Sequence, residues 1–510
     1  MRCLLAEMEQ RVGAVLTYRT AEGKLLVDAV PYYAIIEMAQ VVVRQARNAG
    51  QTKEALSRLL ATLTGRAREE SAFKEAERCL VAHGTTAHLS HDVHYYKAKF
   101  FPRMVRALIN ICSDGAGSAH PLVADNFSGS GTTLLEASVL GFESVGFDID
   151  PLSVMIARAK LEAPLVGSER LASVAAEVSN ALQVGPRSQL SLFGAHADGS
   201  GSAQMRFPAW LLKNRNMTGE VAGELGRDIA EIRAAIGGRD PVTQNLLRVL
   251  MSDAISRKIR MRFLGTGVGR FALSFAATPL AVHFTRSLHR YVRVAAAAEW
   301  MRETLGICFA DAAVIQADTR CLPERDNRFD VLVTSPPYLP ASSGRESYAK
   351  ARAPSLIALG MRTHEDVDLL VDESIGAMDS GEHPFDDLSP EERRLVDWLS
   401  SDPLRGIKAA PTARYFLDMR TTFSEMFRVL RPGAMAAVVS GKTSTFYQFS
   451  TRTPLYVAET AEMLADEARR SGFDVERLLD IELDKTNLNA RPRSLDAYFE
   501  TVIMLRKPAR

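Results

Sequence analysis

Ser335, Pro336, Pro337 and Tyr338 stand in a row after the apolar run Val331-Leu-Val333 and Thr334. A hydroxyl, a carbonyl held rigid by proline and an aromatic face can together grip a flat heterocycle that carries an amino group. Such an amine is a poor nucleophile, because its lone pair is delocalised into the ring. Ser335 Oγ and the Pro336 carbonyl can accept its two hydrogens and turn the lone pair toward an electrophile; this is positioning and charge stabilisation rather than strong-base chemistry. Tyr338 can stack on the ring. The apolar run predicts a buried parallel strand that the prolines stop, since neither donates to a sheet ladder. Residues at the carboxyl end of such a strand are where open α/β sheets bind ligands.

A second stretch predicts the ligand beside them. Leu122–Phe127 reads as a strand, Ser128-Gly-Ser-Gly131 as a tight turn, Thr132–Leu140 as a helix, Val145–Asp150 as a strand, and Pro151 opens a further helix to about Leu161. Glycines admit a close backbone approach, and an acid at the second strand's end suits ribose hydroxyls. A third glycine of the NAD fingerprint is missing, Leu134 standing in its place, and Gly441-Lys-Thr443 lacks the upstream glycine of a phosphate loop, position 436 being Ala. Asp125, before the turn, fits a ligand with a cationic end better than a pyrophosphate. S-adenosylmethionine, with an amino-acid head and no phosphate, meets these terms. Asp318 ends another short strand, Ala313–Asp318. The aromatic-lysine segment His94–Pro102 reads either as an anchor for the helix that follows or as a pocket wall, with Lys97 or Lys99 near a carboxylate.

The elements that must position these residues belong to a 510-residue chain, a length that suggests roughly three domains or one domain with large insertions. Hydrophobic residues make up 46% and charged residues 24%, both ordinary for a globular protein, and the net charge of +1 excludes a uniformly basic nucleic-acid binder. Cys3, Cys79, Cys112, Cys308 and Cys321 are scattered without a CxxC pair, which predicts reduced thiols and no structural zinc. His83, His88, His91 and His94 lie in a polar segment that reads as a solvated linker rather than a metal site. No apolar run reaches the ~18 residues of a membrane span, and Met1–Gln10 lacks a signal-peptide pattern; a soluble cytoplasmic protein is expected.

Four regions follow. Residues 1–90 read as a helical accessory layer, with helices over Tyr32–Ala49, from Lys53 to Leu63 and over Glu69–Val81. Residues 91–161 hold the glycine turn. An insert, 162–310, is expected to carry an exposed loop over Gly185–Gly201. Between Asp253 and Arg293 it has eight basic residues against one acid: Arg257, Lys258, Arg260, Arg262, Arg270, Arg286, Arg290 and Arg293. With Phe263, Phe271 and Phe275 interleaved around a glycine-rich stretch, 265–269, this predicts contact with a phosphate backbone. Residues 311–510 hold the Ser-Pro-Pro-Tyr motif, an acidic insert (360–400) read as solvated surface or a lid, a helix Arg414–Leu430, a turn Arg431-Pro-Gly433, a strand Ala434–Ser440, a helix Glu459–Ser471, and an antiparallel edge pair Val475–Leu483 and Phe499–Leu505. Lys485, Arg491 and Arg493 add a second basic loop.

The chain resembles the DNA amino-methyltransferases. Asp125-Asn-Phe-Ser-Gly-Ser-Gly-Thr-Thr133 is similar to their cofactor motif, with Asn126 in place of the usual proline. Thr334-Ser-Pro-Pro-Tyr338 is similar to their catalytic motif, and His94–Pro102 to a cofactor-side segment of one subgroup; here the cofactor motif precedes the catalytic one, whereas enzymes with this tetrapeptide often have the reverse order. The resemblance covers about 94–161 and 313–505. It implies an α/β fold, a class I methyltransferase (Rossmann-like) sheet with an antiparallel edge hairpin. It also implies S-adenosylmethionine held by Lys99, Phe100, Asp125, Asn126, Phe127, Gly129, Gly131 and Thr132, with Asp148 on the ribose and Asp318 on the adenine amine. The substrate implied is double-stranded DNA with the target base flipped out. Serine at the head of the motif goes most often with cytosine N4, the alternative being adenine N6, and a cognate restriction endonuclease is a companion such enzymes can have. An RNA amino-methyltransferase and a non-catalytic nucleic-acid-binding relative are the other classes consistent with these motifs.

Overall fold

A computed structural model of the chain describes residues 89–182, 206–263, 271–339, 344–376, 387–482 and 499–509, with small gaps, and scattered residues between 41 and 59. The expected helix over Glu69–Val81, the Gly185–Gly201 loop, the 265–269 stretch, His83, His88, Lys97, Arg270, Lys485, Arg491 and Arg493 lie outside the described residues. Of the two earlier N-terminal helices only scattered residues are described; Val41, Val42, Ala55 and Leu59 among them are buried in the central core.

Among the described residues seven strands form the central sheet, in the spatial order Ala312–Gln316 (β5), Ser144–Asp148 (β2), Val123–Asp125 (β1), Phe329–Thr334 (β6), Leu430–Gly441 (β7), Phe499–Arg506 (β11) and Asp474–Glu482 (β10), while Ser444–Tyr447 (β8) and Pro454–Ala458 (β9) pair as a separate ribbon. The parallel set comprises β1, β2, β5, β6 and β7. β11 enters antiparallel between β7 and β10. The expected edge pair is therefore present, with its second strand inside the sheet and its first at the rim. All six residues of β6 are buried, as its unbroken apolar run requires of a central strand covered on both faces.

Helices cover the sheet: α1 (Pro102–Asp114), α2 (Thr132–Val139) and α3 (Pro151–Glu162) in the first half, and α10 (Ala409–Val429) and α11 (Thr460–Arg470) in the second. Asp150 caps α3, its Oδ1 accepting from Leu152 N at 2.9 Å, with Pro151 at the first turn. The insert folds as α4 (Ser168–Ala181), α5 (Gly219–Ile236), α6 (Pro241–Lys258), a two-stranded ribbon β3 (Ile259–Phe263) and β4 (Phe271–Phe275), and α7 (Leu280–Leu305). Leu246 and Leu250 of α6 and Leu288 and Tyr291 of α7 share one core with Leu152 and Ile156 of α3. So do Ala353 and Leu356 of α8 (Gly344–Ala358).

Four expectations are corrected here. His91 and His94 are not in a solvated linker. His91 Nε2 pairs with buried Glu136 at 2.7 Å, which also takes Arg106 Nε at 2.6 Å, and His94 Nε2 meets Ser252 Oγ at 2.8 Å. Burial drives the His94 imidazole down to about 4, so it is a neutral hydrogen-bonding wedge between the segment and α6. The acidic insert ends in a packed helix, α9 (Pro390–Ser401), begun by a Ser389–Glu392 capping box and burying Leu395, Val396 and Leu399; Glu391 and Asp397 face outward, while Glu392 is buried in the cap. The helix before β7 begins at Ala409, a turn earlier than Arg414, because Tyr415 and Phe416 are buried with the residues that precede them. Finally, Arg431-Pro-Gly433 does not separate helix from strand. It is a bulge within β7, since Phe329 pairs with Leu430 but Val331 with Met435, and Gly433 takes φ 82°.

Gly131 is the position where the turn has least freedom. It adopts φ 76°, and a Cβ there would fall 2.8 Å from Ala157 Cβ of α3, so α2 and α3 meet across a bare backbone. Gly131→Ala is expected to cost about 1–3 kcal/mol, read as a lower urea midpoint at unchanged m-value.

Candidate functional site

The sheet reverses direction of propagation between β1 and β6. From β1 the chain moves outward through β2 to β5, and from β6 it moves the other way to β7. A crevice opens beyond the carboxyl ends at such a switch point, and both chemical motifs stand on its lips. Thr334 Oγ1, at the end of β6, donates to Asp125 Oδ1, at the end of β1, at 2.6 Å. Asp125 also accepts from Phe127 N at 3.0 Å, which starts the turn. Thr133 Oγ1 donates to the Val333 carbonyl at 3.3 Å. The glycine turn and the Ser-Pro-Pro-Tyr segment are thus locked to one another by side chains lying within the motifs themselves.

Asp148, at the end of β2, accepts from Gly129 N at 2.8 Å and from Asp150 N at 2.9 Å, which pins the turn to the next strand. Asp318 lies two residues beyond β5, not at its end, and is gripped by Arg320, whose Nε reaches its two oxygens at 3.0 and 3.1 Å; Arg320 also bonds Asp418 of α10 at 3.0 Å. Asn126 Nδ2 donates to Thr319 Oγ1 at 2.5 Å, joining the first and third acidic corners. Two buried polar atoms here, Asn126 Oδ1 and Ser128 Oγ, have no hydrogen-bond partner among the described residues. Buried polar groups are rarely left so, and both belong to the turn that would cradle a nucleoside. The residues present therefore fit such a ligand.

On the other lip, Ser335 Oγ donates to the Val439 carbonyl of β7 at 3.1 Å. Its one proton is thereby engaged and its lone pairs are the functional side of the hydroxyl. Tyr338 OH donates to Glu500 Oε1 of β11 at 2.9 Å. Glu500 was not singled out in the sequence; as the second residue of an edge-pair strand it carries no local signal. Lys99 turns away from the turn toward the His91 carbonyl, and burial lowers its ammonium to about 8. Phe100 packs against the central core cluster.

The basic set divides. Arg257 Nε is held by buried Asp253 at 2.7 Å, an acid that also takes Tyr95 N and Ser287 Oγ. Lys258 Nζ donates to the Ala276 and Thr278 carbonyls at 2.8 and 3.2 Å, closing the base of the ribbon. Arg260 and Arg262 are exposed on the same face of β3.

The strand order and the single antiparallel strand are those of the class I methyltransferase sheet. Among curated proteins, the chain is similar to the type II methyltransferase M.MjaII of Methanocaldococcus jannaschii, 36% identical over 72 residues, 14% of this chain and 13% of that one. It is also similar to the type II methyltransferase M.MvaI of Kocuria varians, 37% identical over 75 residues, 15% and 16% of the two chains. The matched stretch thus spans less than a fifth of either relative. No protein-family model matches the chain. Solved structures that superpose on it include a SAM-dependent methyltransferase from Methanosarcina mazei, 10% identical over 77% of this chain and 94% of that one at TM-score 0.26. The rRNA methyltransferase aviRa from Streptomyces viridochromogenes is 12% identical over 82% and 90% at TM-score 0.28. Superpositions this loose carry no argument. Among the described residues no helix is long and apolar enough to cross a membrane.

Burial raises the Asp125 carboxyl to about 6 against hydrogen bonds from Thr133, Thr334 and Phe127 N. Burial, reinforced by neighbouring Asp150, raises Asp148 likewise to about 6. Burial also pushes Asp318 up, but Arg320 outweighs it and holds that carboxyl below the usual range. In the free protein the raised pair binds protons more tightly folded than unfolded. Its contribution to stability is therefore present below pH about 4 and lost as pH rises through 6. A ligand that needs either carboxylate ionised must displace that proton. Affinity for the expected S-adenosylmethionine should accordingly fall as pH drops from 7.5 to 5 and stay flat above 7, as titration calorimetry across that range would show; Asp148→Asn should make the acid limb shallower.

Proposed function

We propose that this chain is an S-adenosylmethionine-dependent DNA amino-methyltransferase, acting on an exocyclic base amine and most readily on cytosine N4. The observation that carries the reading is the Thr334–Asp125 hydrogen bond of 2.6 Å, which sets a nucleoside-type glycine turn against a Ser-Pro-Pro-Tyr corner at one switch point. The short stretches shared with type II methyltransferases point the same way.

S-adenosylmethionine supplies an electrophilic methyl group when bound. The residues that would hold it are Asp125, Asn126, Phe127, Gly129, Gly131 and Thr132 around the amino-acid and sulfonium end, Asp148 at the ribose and Asp318 at the adenine amine. Asp318 has its carboxylate largely engaged by Arg320, so an adenine amine there shares the acceptor rather than owning it. Ser335 Oγ, its proton on the Val439 carbonyl, and the Pro336 carbonyl accept the two amine hydrogens of the target base. That pulls the lone pair out of conjugation and aims it across the crevice, and the same acceptors stabilise the positive charge that develops on nitrogen. Pro336 and Pro337 keep the carbonyl from turning away, and Tyr338, its hydroxyl tied to Glu500, offers its ring face to a base that has left the duplex. Direct transfer needs no covalent enzyme intermediate, and the amine hydrogen that the methylated product no longer carries would leave as a proton to solvent. Arg260 and Arg262, side by side on the exposed face of a two-stranded ribbon, are the phosphate or groove contacts, and Arg257 and Lys258 hold that ribbon in place.

Incubation with methyl-tritiated S-adenosylmethionine and DNA or RNA tests the assignment: label in DNA is expected, label in RNA alone replaces the substrate, and label in neither leaves a binding protein. Ser335→Ala should keep the wild-type dissociation constant for S-adenosylmethionine while turnover falls about 10²-fold or more; unchanged turnover removes Ser335 from the chemistry. Replacing Arg260 and Arg262 together by alanine should flatten the dependence of log K on log salt by roughly one to two, whereas an unaltered slope would make the ribbon a plain solvated face.

A further inference from the structure

A side chain that no motif contains reaches the cofactor side of the crevice. Arg352 lies on α8, in the segment that follows Tyr338, and its Nη1 donates to Asp150 Oδ2 and, at 3.2 Å, to Ser153 Oγ. Its guanidinium carbon sits 4.6 Å from the centre of the Tyr96 ring. Tyr96 OH in turn meets Ser153 Oγ at 2.9 Å, and a Cβ on Gly129 would come within 3.2 Å of that hydroxyl oxygen. The ring therefore presses on the glycine turn from outside while the guanidinium presses on the ring. Arg352 is largely shielded from solvent and Asp150 almost wholly so, with side-chain exposures of 21% and 5%, so this is an inner contact rather than a surface pair of little worth.

The charges explain why a guanidinium belongs here. Asp148 and Asp150 carry two carboxylates one residue apart, and Gly129 N and Asp150 N are the backbone donors to the first of them. Among the described residues, the charged or titratable groups facing Asp148 are Asp150 from the start of α3, which discourages its ionisation, Arg352 from α8, which favours it, and the phenol of Tyr96. Tyr96, from the segment before α1, feels Asp148 and Asp150 as neighbours and stays a neutral phenol, burial pushing it up to about 12. A planar, permanently charged group can stack on a ring and pair with a carboxylate at once, which a lysine ammonium does less well.

We propose that Arg352, stacked on Tyr96 and paired with Asp150, is a positioning residue of the nucleoside site. It keeps the Asp148 carboxylate available to ribose hydroxyls and clamps the glycine turn from the chain segment that follows the catalytic tetrapeptide. The inference rests on the glycine turn being the S-adenosylmethionine site. Because ribose is common to S-adenosylmethionine and S-adenosylhomocysteine, the effect should not depend on the sulfonium charge.

The test is titration calorimetry of the full-length protein with both compounds from pH 5.5 to 8.5. Arg352→Gln should weaken both to the same degree, roughly tenfold at pH 7.5, and move the acid limb of the binding profile to higher pH. Arg352→Lys should restore the position of that limb but not the full affinity, and Tyr96→Ala should add little to Arg352→Gln when the two are combined. Folded Arg352→Gln protein that binds both compounds as the wild type does, with only a lowered melting temperature, overturns the proposal, as does a loss confined to S-adenosylmethionine. Wild-type protein that binds neither compound overturns instead the assignment of the site itself.

Discussion

One hydrogen bond, from Thr334 to Asp125, governs how the rest of the structure can work. It spans the place where, among the described strands, neighbouring parallel strands send their connections in opposite directions. Without a tie at that point, β1 and β6 could share a ladder at Val123 and Ala124 and still splay at their ends, since the ladder between them stops two residues short of Thr334. A buried carboxylate is a strong acceptor, and a 2.6 Å contact leaves little play. Transfer between two bound groups is sensitive to displacements of an ångström, so the short tie is where fold and chemistry meet.

Behind that tie lies a polar scaffold whose members sit far apart in sequence. Glu136 of α2 joins His91 and Arg106, while Asp253 of α6 joins the Tyr95 amide, Arg257 and Ser287. Lys160 is fully buried and reaches Ser130 Oγ at 3.1 Å directly below the turn, and burial holds its ammonium well below the usual range. Groups of this kind add little net stability compared with apolar side chains, but each is costly to leave unpaired. Their effect is to leave the segment before α1 a single satisfactory arrangement against the turn and the insert.

The sheet's inner strands were legible because their constraints are local. β6 runs from Phe329 to Thr334 as its apolar residues and prolines dictate, and the strand-turn-helix around Gly129 and Gly131 follows from spacing alone. What was not legible depended on partners distant in sequence. Nothing near Glu500 or Arg352 marks them as neighbours of Tyr338 and Tyr96. The count of basic residues from Arg257 to Arg293 gave the sign of the region, but not that Arg257 and Lys258 satisfy groups within the protein while Arg260 and Arg262 face outward. His91 and His94 misled for the same reason in reverse: a polar composition conceals burial when its polar groups find partners inside the protein. The acidic stretch hid α9 because four buried side chains, Glu392 among them, suffice to dock a helix that turns most of its charges outward.

The insertion between β2 and β5 has a consequence for how the chain reaches this form. Asp148 pairs with Gln316, and Val123 with Val331, so the outer flank of β2 and the β6 flank of β1 are completed by strands that emerge only after α4–α7 have been made. Lengthening a connection costs little at equilibrium, about 0.6 kcal/mol per doubling, yet distant pairings slow the search for the native register. Until β5 arrives, β2 is paired on its β1 side only and its outer edge stays open. A chain extended only through α7 therefore holds the glycine turn, with the helices of the insert as the partners available to α3, and lacks the tetrapeptide that will stand opposite it.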